Sequence, residues 1–187
     1  MAGSLMKIRC LAVGVLLISL AGCGTSTGTF NVVVKMDDAW GSRSALPSVE
    51  VHLVGVNNSE YAAMSTEKMT KYWKETSGAA DTKRRRVMKF GQSLPPEQTL
   101  PKSDAIWQEW KKNNCRYLFV LADIPEVRPD QDKDGDADAR RLILPLEVQA
   151  WRKAKYVPMS GPSTIIISIS KPPVGVYCVN APETRVE

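Results

Sequence analysis

Asp130, Asp132, Asp134, Asp136 and Asp138 alternate along one short stretch of this 187-residue chain, with Gly135 among them. Carboxylate oxygens are hard ligands, and calcium takes roughly six to eight of them. A glycine permits the sharp turn that wraps such a loop around an ion. Counted from Asp130, the order Asp-x-Asp-x-Asp-Gly matches the opening of a calcium-binding loop, whereas the twelfth position is Arg141, where a bidentate glutamate belongs. One expectation is therefore calcium held by these five aspartates, with the ion ordering the loop. The other is a solvated acidic loop whose self-repulsion is relieved by Arg128, Lys133, Arg140 and Arg141.

Residues for catalysis are sparse. The single histidine, His52, falls inside an apolar alternation, where a packing role outweighs that of a base. The chain contains no G-x-S-x-G, no H-E-x-x-H and no phosphate-binding glycine loop. Asp123 and Glu126 could serve a hydrolase only if each met a partner across a cleft, which spacing in sequence does not establish. The expectation is a protein that is not an enzyme.

The cysteine with the most specific surroundings is Cys23. Lys7 and Arg9 precede an apolar run from Cys10 to Leu20, and small residues lead from there to Cys23. The run is too short for a hydrocarbon core about 30 Å thick, which needs about 20 apolar residues, so 1–22 is expected to be a signal peptide. The tetrad Leu20-Ala21-Gly22-Cys23 resembles the lipobox of bacterial lipoproteins, in which the thiol is diacylated, the chain is cut just before it, and the new amine is acylated. That resemblance implies a mature chain starting at Cys23, held to the membrane by its N-terminal lipid. Gly24 stands where aspartate retains many such proteins in the inner membrane, so the implied location is the bacterial outer membrane, facing the periplasm. Residues 23–28 (CGTSTG) are small and polar, as a lipidated tether should be.

Export changes how the other residues are read. Lys7 and Arg9 supply two of the net +5 charges, so the mature chain is only mildly basic. Lys83, Arg84, Arg85 and Arg86, with Lys89, would suggest nucleic acid in a cytosolic chain. In the periplasm no nucleic-acid partner is expected. The run is then either a set of solvated turn residues or a surface for an acidic partner. Cys115 and Cys178 are the cysteines left for an oxidising compartment, and they either pair as a disulfide or remain two buried thiols.

The elements that must carry these groups are mostly strands. Residues 29–36, 48–56, 85–90, 115–124, 142–148, 164–170 and 174–179 are rich in β-branched or alternating apolar residues, with Pro145 marking an edge or bulge. Two helices are expected, near 66–73 and over 103–112, the second capped by Ser103 with Ile106, Trp107 and Trp110 on one face. Proline-rich breaks at 94–101 and 159–162 separate elements. Most of the five tryptophans are expected in the core. The fold class is mainly β: a small antiparallel β-sandwich spanning 29–187, with one or two short helices.

With its lipobox, short tether, early LPSVEVHLV stretch, helical insert and late strands YLFVLADI and TIIISIS, the chain resembles the small outer-membrane lipoprotein of type VI secretion systems. That family implies a transthyretin-like β-sandwich. It also implies a periplasmic protein partner, a secretion-channel subunit that the lipoprotein anchors to the outer membrane. The alternative is a calcium-organised envelope lipoprotein that binds a ligand or polymer.

Overall fold

A computed structural model describes residues 27–76, 84–125, 127, 131–152 and 164–181. The expected signal peptide, Cys23 and most of the tether lie outside these residues. Eight strands, β1 (Asn31–Met36), β2 (Val49–Val56), β3 (Arg85–Phe90), β4 (Glu97–Leu100), β5 (Tyr117–Ala122), β6 (Arg141–Pro145), β7 (Thr164–Ile169) and β8 (Val176–Cys178), build two four-stranded sheets. One has the order β4-β1-β7-β8 and the other β3-β2-β5-β6. The mainly-β sandwich is therefore observed.

Alternation explains which faces meet. Val32, Val34 and Met36 of β1 and Ile165, Ile167 and Ile169 of β7 point inward from one sheet. Val49, Val51 and Leu53 of β2 and Leu118, Val120 and Ala122 of β5 point inward from the other, and all belong to one core. Each such side chain contributes about 1.5–3 kcal/mol when fully removed from water.

β5 is buried on both faces, which is why its sequence is a continuous apolar run. Its outward residues Phe119 and Leu121 pack under Met69 and Trp73 of the helical insert, in a second apolar cluster. The insert comprises α1 (Asn58–Thr66) and α2 (Met69–Thr76), where the sequence predicts a single helix near 66–73. Asn57 and Glu60 close a reciprocal capping box at the start of α1.

α3 (Ile106–Lys112) adds Ile106, Trp107 and Trp110 to the core. Its cap is not Ser103: the carboxylate of Asp104 accepts the Ile106 amide at 2.9 Å. A Cβ on Gly55 would lie 2.4 Å from the Trp110 ring, so glycine is what lets α3 approach β2. All five tryptophans are buried.

Three further expectations need correction. The sandwich is not wholly antiparallel, because β1 and β7 run parallel, with Val32 beside Ile165 and Val34 beside Ile167. Residues 97–100 form β4 inside the expected proline-rich break, since strand pairing to β1 needs only the backbone, and Leu100 is its one buried side chain. The stretch expected as a strand to residue 148 ends at Pro145, and α4 (Val148–Arg152) follows, carrying buried Trp151. Among the described residues no helix is long and apolar enough to cross a membrane.

Candidate functional site

The described carboxylates of the acidic stretch are arranged around arginine. Asp138 has no exposed side-chain surface and Arg140 only 5 %. Asp138 accepts the Arg140 amide at 2.9 Å, Arg140 Nε at 3.0 Å, Arg140 Nη2 at 2.8 Å and the Lys133 amide at 3.2 Å. Asp132 accepts from the same guanidinium, and from the amide and hydroxyl of Thr70 at 3.2 and 2.9 Å. Burial pushes the Asp138 carboxyl up, but the hydrogen bonds and charge of Arg140 outweigh it and hold the group below its ordinary value.

Asp134 stands apart, 3.2 Å from Lys68 with both side chains well exposed. Asp130 lies outside the described residues, as does the side chain of Asp136. Among the described residues no three metal-ligating side chains converge. The positive charge at Asp132 and Asp138 is supplied by a guanidinium, so these two carboxylates do not form an open calcium ligand set.

Arg141 completes the clamp from the outward face of β6. Its guanidinium donates to the carbonyls of Ser65 and Glu67, where α1 runs out of intrahelical partners. Arg140 and Arg141 thus tie the acidic loop and β6 to the helical insert. In the sequence both residues balance the charge of the aspartates and Arg141 also stands at the twelfth loop position; their place directly after the aspartates is the signal for the clamp.

The basic run is also neutralised from within. Arg84 donates to Glu60 at 2.7 Å, Arg86 to both oxygens of Asp104 at 2.7 and 2.8 Å, and Lys89 lies 3.2 Å from Glu50. Arg85 hydrogen-bonds the Tyr72 phenol. Lys83 lies outside the described residues. A run in which Arg84, Arg86 and Lys89 already hold carboxylates presents little free positive charge to an anionic polymer.

His52 is fully enclosed. Its Nδ1 lies 2.7 Å from the Tyr72 hydroxyl, its Nε2 2.8 Å from Glu50, and the Trp73 ring sits 4.6 Å away. The ring joins β2 to α2 and has no route to a substrate. Asp123 is held above its ordinary value by burial and then by the charge of Glu50. Glu126 lies outside the described residues.

Cys115, buried, and Cys178, half-buried, each stand as unpaired thiols. Cys115 is in the core at the turn into β5, while Cys178 is on β8 with Sγ 3.5 Å from Asn180 Oδ1. Burial pushes both thiols up to about 11.

Each end of the sandwich carries open loops among the described residues. At one end, Thr27 and Gly28, which the sequence assigns to the tether, are part of the domain. Thr27 bridges to Glu147 and its buried hydroxyl donates to the Cys115 carbonyl at 2.8 Å, while the Gly28 amide donates to Leu146 at 2.7 Å. Beside them is a polar cleft of about 340 Å³ lined by Asn57, Asn58, Ser59, Asn113, Asn114 and Arg116. No sequence pattern points to this cleft, because its asparagines come from two distant turns. At the other end, the loops after β1 and β3 and the β7–β8 turn expose Leu94 and Val174.

In solved structures the chain is similar to three components of one machinery. The C-terminal domain of the type VI secretion protein TssM from EAEC aligns with a TM-score of 0.45 and 10% identity, over 81% of this chain and 100% of that one. Lip from Serratia marcescens, a membrane-bound component of the type VI secretion system, gives 0.42 and 10%, over 82% and 97%. The type VI secretion lipoprotein TssJ1 from Pseudomonas aeruginosa gives 0.38 and 12%, over 83% and 99%. No protein-family model and no curated protein sequence matches the chain.

Proposed function

We propose that this chain is a lipid-anchored protein of the bacterial envelope, acylated at Cys23, whose sandwich faces the periplasm and docks a protein partner. Its most specific form is the outer-membrane anchor of a type VI secretion membrane complex. The observation that carries the reading is the lipobox Leu20-Ala21-Gly22-Cys23 set directly before a β-sandwich. Several acyl chains on one terminus hold a protein stably on a membrane, where a single chain binds only marginally.

Docking fits the character of the surface better than chemistry does. His52 is enclosed and the described charged clusters are spent on one another, whereas the loops far from Thr27 carry exposed apolar residues on a rigid frame. Loop capture, or strand addition at an edge strand, are the modes open to such a frame.

Crosslinking in intact envelopes followed by purification of the acylated chain tests the docking. A reproducible periplasmic partner captured through residues 91–96 or 171–175 supports it; recovery of the chain alone counts against a stable complex.

A further inference from the structure

We infer that the Thr27 end of the sandwich lies against the phospholipid headgroups of the membrane that holds Cys23, with Lys111, Lys112 and the asparagine cleft as its contact surface. The inference rests on the lipid-anchored reading and adds an orientation to it. Its basis is the short distance between hook and domain. Thr27 is fixed by a buried hydrogen bond and a strand bridge, and Gly28 by a 2.7 Å amide bond, so the domain begins at Thr27. Three residues lie between Cys23 and Thr27, and the four peptide steps span at most about 14 Å whatever their conformation. A headgroup layer adds only about 5–8 Å beyond the hydrocarbon core. The end of the domain at Thr27 therefore cannot leave the membrane surface.

The composition of that end suits the contact. Thr27 holds the carbonyl of Cys115, and the turn just before Cys115 carries exposed Lys111 and Lys112 at the end of α3. Next to it is the cleft of about 340 Å³, where the amides of Asn57, Asn58 and Asn114 offer donors to phosphate and glycerol oxygens. Arg116 is itself 3.4 Å from Glu147, the residue that Thr27 bridges, so cleft and tether attachment are adjacent. No large apolar side chain is exposed on these turns, which fits lying on headgroups rather than inserting among acyl chains. Lysines near an anionic surface are attracted to it within a Debye length.

The opposite end must then point away. β2 runs from Val49 at that end to Val56, which accepts the Arg116 amide at the tether end, and its eight residues span about 23 Å. The loop 91–96 follows Phe90, the partner of Val49, and so stands about a strand's length from the tether end.

The test uses the acylated, processed chain in vesicles of phosphatidylethanolamine and phosphatidylglycerol carrying a headgroup-attached quencher. A thiol-reactive fluorophore is placed in turn at Asn58→Cys, in the cleft, and Ser93→Cys, in the far loop, both exposed and without side-chain bonds to lose. Cys115 is buried and Cys178 half-buried, both with thiols raised to about 11, so the exposed new thiol is the more reactive one. Flotation with the vesicles reports the anchor, and quenching reports the orientation. The expected result is flotation with several-fold stronger quenching at Asn58→Cys than at Ser93→Cys, the difference shrinking in Lys111→Gln/Lys112→Gln. Failure to float overturns the anchored reading. Flotation with equal quenching at both sites overturns the orientation alone, and an unchanged difference in the double lysine variant overturns the lysine contact.

Discussion

The acidic loop and the basic strand carry comparable runs of like charge, and the fold treats them in opposite ways. Around Asp138 and Arg140 both partners are withdrawn from water, with side-chain exposures of 0 % and 5 %. At the start of β3 the paired arginines Arg84, just before the strand, and Arg86 each keep 33 % of their side-chain surface in solvent. The first arrangement locks a loop to the helical insert, because a buried charge cannot tolerate the loss of its partner. The second makes a strand of an otherwise repulsive run, at little net gain, because water and salt compete for each pair. A charge run in a sequence is therefore not a ligand site until its counter-charges have been sought inside the chain.

The contrast can be broken most directly at Asp138. Asp138→Ala leaves Arg140 buried with a reduced set of partners and should cost about 3–5 kcal/mol in urea unfolding. A loss below about 1 kcal/mol would put this pair with the surface ones.

Acidification is the next lever. The Asp138 carboxyl is held below its ordinary value, so its contribution is complete above the usual carboxylate range and is lost as pH falls through the lowered value. Asp123, held above its ordinary value, has the opposite sign: its ionisation costs stability at neutral pH, and Asp123→Asn should raise Tm slightly at pH 7. Thermal unfolding of Asp138→Asn should show a shallower loss on acidification than the parent chain.

A smaller effect is expected on the other side. Arg84→Gln removes a pair to Glu60 that is about a third exposed, and should cost about 0.2–1 kcal/mol, shrinking in high salt. The smallest is expected from calcium: adding millimolar calcium or a chelator should leave Tm unchanged, since Arg140 already supplies the positive charge at Asp132 and Asp138. A calcium-dependent rise in Tm would restore the ion-binding reading of the loop.

Strands with a buried face were legible because period-two alternation is a property of the strand alone. Residues 85–90 form β3 as expected, and β2, β5 and β7 fall within one or two residues of their expected bounds. β4 was not legible, because Glu97, Gln98 and Thr99 offer no apolar face and pairing to β1 selects them. The parallel β1–β7 pair was hidden for a related reason: alternating Val and Ile fit a parallel or an antiparallel neighbour equally well. α1 buries no residue completely, so no periodicity marked it, although Asn57 and Glu60 spelled its capping box. At the acidic stretch, ligand spacing was visible but the inward turn of Arg140 was not. Burial of a guanidinium depends on Thr70 and Asp132, and Thr70 is far away in the chain.

The central claim concerns the chain before Thr27, and intact mass of protein extracted from membranes tests it most directly, with wild type beside Cys23→Ser and membrane fractionation alongside. The account predicts a wild-type chain beginning at Cys23 with added acyl mass in outer-membrane fractions, and a Cys23→Ser chain without that mass and released from the membrane. An unacylated wild-type chain, or one that stays soluble, would contradict it.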